Sequence, residues 1–219
     1  MISWAKRILG GICLLLVLLA ALAYFFREPI LRESGEFMAP RGDYTADIAI
    51  LEGSEYLDRG IASAGLELLK AGKVRHIVVV LHNIAQAHRP YGLNENYPGM
   101  VEKELQRLGL KEKDFEVMVV HIEHPLTLTE AKGALKELSK ENVKTAILLS
   151  SGFHTRRSYL VYQHAAETYQ IKIYPQACFT GDQAENWWEQ ERGARDFAAE
   201  SVKLAYYLLM GHIPFRFSY

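Results

Sequence analysis

Five short runs of apolar residues alternate along the chain with segments of helical periodicity, and this alternation limits the folds open to it. The apolar runs lie at residues 47–51, 76–81, 115–122, 145–149 and 171–174. The segments with apolar side chains three or four positions apart lie at residues 55–71, 100–108, 129–141, 155–168 and 191–210. Near-continuous apolar strands that alternate with helices are typical of a parallel sheet covered on both faces. The sequence therefore predicts an α/β fold with a doubly wound, mostly parallel, Rossmann-like sheet of about five strands.

The start of the chain predicts a membrane-directed segment. Ile8 to Phe26 is an uncharged stretch of 19 residues, long enough to cross about 30 Å of hydrocarbon as a single transmembrane helix. Lys6 and Arg7 precede it, so the positive-inside rule predicts a cytoplasmic N-terminus and a domain on the periplasmic side of the inner membrane. The alternative is a cleaved signal peptide, because residues 21–23 match an A-x-A cleavage pattern. In both interpretations, the domain that follows this segment is exported from the cytoplasm.

The sequence divides the chain into three parts. We interpret residues 1–26 as the anchor or signal, 27–45 as a polar linker and 46–219 as the Rossmann-like domain. The residues after Phe26 carry 23 Lys and Arg against 26 Asp and Glu. This slight acidity, without a basic stripe, argues against nucleic-acid binding. Cys13 and Cys178 lie on opposite sides of the division, so no disulfide is predicted within the domain.

Ligands of doubly wound folds bind beyond the carboxyl ends of the strands. That rule selects the residues after each predicted strand as candidates for the site: Glu52 and Gly53, His82, Glu123 and His124, residues 150–154, and the segment after Tyr174. No G-x-G-x-x-G follows the first strand, and neither a P-loop nor a G-x-S-x-G turn occurs. The sequence therefore predicts no bound cofactor.

The segment from Ser150 to Arg157 concentrates groups that bind anions. Ser150 and Ser151 end a strand, and His154 and Arg157 follow where the chain turns into the next helix. Free N–H groups at a helix start attract phosphate or carboxylate. His154 is the candidate acid, base or hydrogen-bond donor. The structural alternative is a capped helix, with Thr155 as N-cap and the arginines in solvent.

At this segment the chain resembles the YdcF/SanA/ElyC family of envelope-associated domains of unknown function, in its membrane-anchored branch. That family has a strand ending in Thr/Ser-Ser, then an aromatic residue, His, two residues and Arg, which Ser150 to Arg157 match. Further matches are Arg59 with Ala62, Leu68 and Gly72, the acids Glu123 and Glu130, and the stretch from Trp187 to Tyr207. The resemblance covers roughly residues 46–211. It implies a role in peptidoglycan metabolism or barrier integrity.

Two positions depart from the pattern of that family. Its Leu-Gly-Gly after the first strand is Leu51-Glu52-Gly53 here, and its Ser-Gly-Gly after the second strand is Leu81-His82-Asn83. Both places normally offer small residues to a ligand. Glu52 adds charge and bulk at one and His82 adds a titrating ring at the other, so the departures predict a changed or lost ligand.

Glu123 and Glu130 form a second candidate group, because they flank one strand-to-helix turn at the ligand edge. As a pair they could orient a cation, a sugar hydroxyl, or the guanidinium of Arg157 or Arg59. The structural alternative is that Glu130 favours its own helix N-terminus. His121 and His124 beside Glu123 raise the possibility of a metal site, but no paired spacing such as H-E-x-x-H occurs. We therefore predict no metal.

Two functional hypotheses follow. The first is an envelope protein that binds or processes a phosphate-bearing ligand, such as a lipid carrier headgroup or a precursor. In it Arg157 and Arg59 hold the anion, His154 moves a proton, and Glu130 orients His154 or an arginine. The second is a non-catalytic module that binds a nucleotide or S-adenosylmethionine, which a family relative is associated with, or a membrane-tethered scaffold.

Overall fold

The fold is a five-stranded parallel sheet between two layers of helices, which confirms the Rossmann-like prediction. A computed structural model describes residues 2–54, 57–82, 97–181 and 183–214. The strands are β1 (Ile48–Ser54), β2 (His76–His82), β3 (Phe115–Val120), β4 (Thr145–Ser151) and β5 (Lys172–Cys178). They run in the order β3-β2-β1-β4-β5, all parallel. The order reverses between β1 and β4, which is where doubly wound folds open a binding crevice.

The described part of the chain contains seven α-helices, six of which pack around this sheet. They are α1 (Ile2–Phe25), α2 (Arg27–Met38), α3 (Arg59–Lys70), α4 (Tyr97–Arg107), α5 (Leu126–Leu138), α6 (His154–Ala166) and α7 (Glu191–Leu209). Apolar side chains of α3 and α4 pack on one face of the sheet. Those of α2, α5, α6 and α7 pack on the other. Short 3-10 turns extend the ends of α5 and α6 and precede β3 and α7.

Alternate residues of each central strand serve the two cores. In β1, Ile50 joins the core beneath α5 and α6, whereas Ala49 and Leu51 join the core beneath α3 and α4. This division follows from the period of two along a strand. Burial on both faces explains why the central strands read as continuous apolar runs.

The end of β1 is irregular at the point where the site forms. Leu51 pairs with Val79 and Ser54 pairs with Leu81, so Glu52 and Gly53 together oppose one residue of β2. An extra residue of this kind is a β-bulge, which bends a strand and changes the direction of its side chains. The bulge lies at the two residues that the sequence selects as ligand candidates.

Helix α1 stands apart from the sheet. Most of its large apolar side chains, including Leu14, Leu18 and Phe25, are more than half exposed. Among the described residues no single helix combines the length and hydropathy of a membrane span. The segments Ile8–Leu22 and Arg27–Met38, which meet at 67°, reach that length and composition as a bent pair.

Residues 27–38 are a packed helix, which corrects the predicted linker. A Cβ added at Gly35 would clash with the carbonyl oxygen of Ala184 and lie 2.7 Å from Cδ1 of Trp187. The Trp187 Nε1 donates to the carbonyl oxygen of Leu31 at 2.8 Å. Met38 is buried in the core. The polar surface of α2 suggests a linker, but close backbone contact through a glycine docks it to the domain.

Candidate functional site

The carboxyl ends of β1 and β4, the two strands at the reversal of strand order, place Glu52 beside Ser150. Glu52 accepts hydrogen bonds from the hydroxyls of Ser150 and Ser158. Its Oε1 also lies 2.8 Å from Nε2 of His154. Both serines are fully buried, and the Glu52 side chain is 4% exposed. Three donors therefore surround one internal carboxylate at the crevice of the fold.

His154 lies between two carboxylates, and Glu200 of α7 is the second. The Nδ1 of His154 is 3.3 Å from Oε2 of Glu200. The same oxygen accepts from Nε and Nη2 of Arg157 at 3.0 and 2.9 Å. The Nη1 of Arg157 donates to Oγ1 of Thr127 at 2.8 Å. Helices α5, α6 and α7 thus each contribute to one ionic network.

The network keeps His154 protonated at neutral pH. Burial by itself would lower the pKa of His154, but the charge of Glu52 and the hydrogen bonds to Glu200 and Glu52 raise that pKa to about 9. Burial would likewise raise the pKa of Glu200, yet the hydrogen bond and charge of His154, with Arg157, hold it well below its usual range. We therefore describe His154 as an imidazolium, an acid or a hydrogen-bond donor to an anion rather than a base.

Nη2 of Arg157 lies 2.8 Å from Nδ1 of His154, and the protonation state of His154 decides whether this contact is a hydrogen bond. It is a hydrogen bond only when Nδ1 carries no proton. In the imidazolium form both groups donate to the shared oxygen of Glu200 instead. We favour the imidazolium form because two carboxylates flank the ring, whereas the single nearby guanidinium is already paired with Glu200.

Glu130 centres a second buried network, next to the first. Its Oε1 accepts from the hydroxyl of Tyr162 at 2.6 Å and from the backbone N–H of Gly53 at 3.1 Å. Its Oε2 lies 2.6 Å from Nε2 of His82. Burial raises the pKa of Glu130 above its usual range; the hydrogen bond from His82 opposes this rise, and the charge of Glu52 adds to it. Burial also raises the pKa of Tyr162 well above its ordinary value.

Gly53 makes the close approach of these groups possible. A Cβ at this position would lie 2.7 Å from Nε2 of His82 and 2.8 Å from Oε2 of Glu130. The absence of a side chain therefore serves an internal contact here. Gly53 is a predicted ligand-binding residue, and its backbone N–H is already bonded to Glu130.

A cavity of about 400 Å³ opens beside the His154 network. Its floor is formed by the end of β4 and the start of α6, including Ser151, Gly152 and His154. Helix α7 supplies one wall with Arg192, Asp196, Glu200 and Lys203, and Phe179 and Thr180 follow β5. With Arg157 and the imidazolium there are four cationic groups, against the carboxylates of Asp196, Glu200 and the buried Glu52. The cavity has the charge and size to hold a small anion such as a phosphate ester.

The structure brings together most, but not all, of the predicted site residues. Glu52, Ser150, His154 and Arg157 form one network, with Ser151 on the cavity floor. Gly53, His82 and Glu130 form the adjacent one. Glu130, which the sequence predicts to orient His154 or an arginine, bonds to neither in the described structure. Glu200 contacts both His154 and Arg157 instead.

Two predicted residues lie outside the site. Arg59 is 76% exposed and pairs with Glu104 at 2.8 Å. Glu123 is 76% exposed, and its Oε1 is 3.5 Å from Nε2 of His121. Within the described ranges, no group of three His, Cys, Asp or Glu side chains could hold a metal ion. Asn83, the third residue of the second family departure, lies outside the described residues.

Helix α6 begins differently from the capped alternative. It starts at His154, after Phe153, and no side chain caps it. The hydroxyl of Thr155 donates to the carbonyl oxygen of Gly152 at 2.7 Å instead. The N–H of Thr155 also donates to that carbonyl oxygen, at 3.3 Å, so the first turn of α6 closes on Gly152 at the cavity floor.

Glu200, Tyr162 and Ser158 belong to the site but carry no signal in the sequence that we used. Glu200 lies 43 positions after Arg157, on a helix that reads as amphipathic and solvated. Tyr162 and Ser158 read as ordinary positions of α6. A buried hydroxyl that faces a carboxylate is visible only after the helices are packed.

No protein-family model matches this chain, and no curated protein is significantly similar to it.

Proposed function

We propose that this protein is a membrane-anchored cell-envelope protein that binds, through the cavity beside His154, a ligand bearing a phosphate group. The observation that carries the proposal is the position of an imidazolium between two carboxylates, on the floor of a cavity whose walls add Arg157, Arg192 and Lys203. An anion in that cavity would meet these cations beside the N-terminal turn of α6.

His154 would act on the ligand as a donor. Its raised pKa keeps a proton on the ring at neutral pH, so it can stabilise negative charge or protonate a leaving oxygen. Glu52 and Glu200 hold the ring in place from both nitrogens. Arg157 is 8% exposed and already paired with Glu200, so we assign it to positioning rather than to the role of primary anion clamp.

The envelope location rests on the N-terminal part of the chain. Helix α1 carries an exposed apolar surface along its length, and charged residues come before and after its uncharged stretch. We propose that this segment anchors the protein in the inner membrane with one pass, and that the domain lies on the periplasmic side. The resemblance to the YdcF/SanA/ElyC family supports a role in peptidoglycan metabolism or barrier integrity.

The departures Glu52 and His82 also bear on the proposal. Each pairs with a residue that fits the family pattern, Glu52 with His154 and His82 with Glu130. The buried carboxylate of Glu52 is already bonded to Ser150, Ser158 and His154. We therefore place the ligand in the outer cavity, between α6 and α7.

Thermal unfolding of the full chain in detergent tests the binding site. We expect glycerol phosphate and pyrophosphate to raise the unfolding temperature of the wild type. The shift should shrink in Lys203→Gln and vanish in His154→Gln. Lys140→Gln is the matched control, because Lys140 is an exposed lysine that pairs with Glu137 far from the cavity wall. Equal shifts in all four proteins, or none, would contradict the proposal.

The same assay separates the rival hypothesis. Stabilisation by S-adenosylmethionine or an adenine nucleotide, with no response to the phosphate esters, would favour a nucleotide-binding module. In cells, His154→Gln should fail to restore envelope integrity to a deletion strain at normal protein level. Full restoration would remove the site from the function.

A further inference from the structure

Helix α7 presents an apolar face to the outside. Val202, Tyr206, Leu209 and Met210 are between 51% and 79% exposed, and their spacing places them on one side of the helix. Ala198 and Ala205 extend the same side, and they are also exposed. Between residues 198 and 210, Lys203 is the one exposed charged residue, and it is paired with Glu200. A surface helix normally shows the reverse pattern, with polar residues outward.

A basic cavity adjoins the C-terminal end of that face. It encloses about 510 Å³, and Lys132, Lys136, His164 and His212 contribute to its lining against a single carboxylate, Glu167. Lys132 and Lys136 are exposed and one helical turn apart. Neither forms an ion pair with another described residue, whereas Glu167 lies 3.6 Å from His164.

The two features form one continuous surface. The ring of His212, at the cavity, lies 6.0 Å from the ring of Tyr206, on the apolar face. An apolar strip beside unpaired lysines complements a bilayer interface, in which acyl chains lie next to anionic headgroups. The same chain also carries the exposed apolar helix α1.

We propose that α7 lies in the membrane interface, with its apolar face toward the acyl chains and the Lys132–Lys136 cavity over anionic lipid headgroups. This inference rests on the proposed membrane location and adds a second contact to it, one that involves the domain itself. It also sets the direction of the cavity beside His154. Ala199 and Lys203 of α7 line that cavity, so its mouth would open next to the bilayer surface.

Depth-dependent quenching in the full chain tests the proposal. Cys13 and Cys178 are replaced by alanine, and a bimane fluorophore is attached through Leu209→Cys. The matched control carries it through Lys113→Cys, an exposed site next to the edge strand β3. Each protein is reconstituted into vesicles of phosphatidylcholine, with or without phosphatidylglycerol, that contain acyl-brominated lipid.

We expect strong quenching of the label at 209 and little at 113. Phosphatidylglycerol should increase the quenching at 209. Lys132→Gln together with Lys136→Gln should lower the ratio of docked to undocked α7 by roughly thirtyfold, at about 1 kcal/mol per lysine. Inorganic phosphate added to the solution should leave quenching unchanged, because the headgroup is bound as part of a surface.

The contrary outcomes are distinct. A chain that does not float with vesicles would overturn the membrane anchor and this inference together. A chain that floats, but whose label at 209 is no better quenched than the label at 113, would overturn only the docking of α7. Excimer emission from pyrene at 209, without quenching by lipid, would assign the apolar face to a second copy of the chain. Loss of quenching on addition of inorganic phosphate would make the cavity a site for a free anion.

Discussion

The charge of His154 depends on its neighbours, and so the stability of the domain should depend on pH. The pKa of His154 is raised from 6.5 to about 9 by Glu52 and Glu200. A folded-state pKa above the unfolded one adds stability that is complete below pH 6.5 and is lost as the pH rises through 9. We expect the free energy of unfolding to fall by up to about 3 kcal/mol across that window.

Chemical denaturation at several pH values measures this loss, and two variants identify its source. His154→Gln should flatten the pH dependence between 6.5 and 9. Glu52→Gln should shift the His154 resonance midpoint toward 6.5 in an NMR titration, because the nearest negative charge is removed. A midpoint that stays near 9 in Glu52→Gln would assign the shift to Glu200 alone.

Gly53 offers a second test at the scale of one residue. The Cβ of Gly53→Ala would enter the contact between His82 and Glu130. We expect a loss of about 1–3 kcal/mol in unfolding free energy, as for other overpacked interiors. Gly133→Ala is the control: its Cβ meets Val120 at an ordinary 3.5 Å, inside helix α5. It should raise stability by about 0.5–1 kcal/mol. Similar effects in both variants would argue against a tight contact at Gly53.

Sequence reasoning identified residues of the site that lie close together along the chain. Ser150, His154 and Arg157 occupy one strand-to-helix turn, so local rules about helix starts and strand ends select them. Glu200 escapes such rules, because its role depends on which side of α7 faces α6. Glu123 is selected by position and proves to be exposed, since the chain after β3 directs it to solvent.

At the scale of the element, α2 provides the clearest prediction. Gly35 permits the contact of α2 with Ala184 and Trp187. Gly35→Ala should push α2 away and lower stability by about 1–3 kcal/mol. Residues 27–45 should then become sensitive to protease in the detergent-solubilised chain. Glu36→Ala, at the exposed neighbour on the same helix, should change neither property. Resistance equal to the wild type would show that α2 tolerates the added methyl.

The strands were predictable because burial on both faces leaves an unbroken apolar pattern. The edge strand β5 is the exception. The sequence predicts residues 171–174, yet β5 continues to Cys178 past Pro175. An edge strand can hold a proline, since one side of its backbone needs no partner. Helix α2 escaped prediction for a different reason, because it packs through a glycine and not through an apolar stripe.

At the scale of the whole molecule, the orientation across the membrane is open to direct test. Alkaline phosphatase fused after Tyr219 should be active, because it matures only outside the cytoplasm. Green fluorescent protein fused at the same place should be dark, because after export through the general secretory route it does not become fluorescent. Replacing Lys6 and Arg7 by glutamate should reduce the phosphatase activity, since the positive charges that set the orientation are lost. A bright fluorescent fusion would place the domain in the cytoplasm.

The architecture of the molecule followed from the alternation of strands and helices, and the place of the site followed from the architecture. Neither step required the identity of a ligand. The direction of α7 did require the structure: it runs from the cavity beside His154 to the cavity at His212. An amphipathic pattern predicts that one face is buried, but it does not predict what the other face meets.

The buried carboxylate of Glu52 has one more consequence. It is a tethered counter-anion, held by the hydroxyls of Ser150 and Ser158 and the ring of His154. Glu52→Gly should leave these donors around an empty, carboxylate-sized space. Formate should then enter as a chemical rescue and raise the unfolding temperature of Glu52→Gly, but not that of Glu52→Gln, whose amide still fills the space. The donors around Glu52 therefore form an anion-binding site whose ligand, the Glu52 carboxylate, is part of the chain itself.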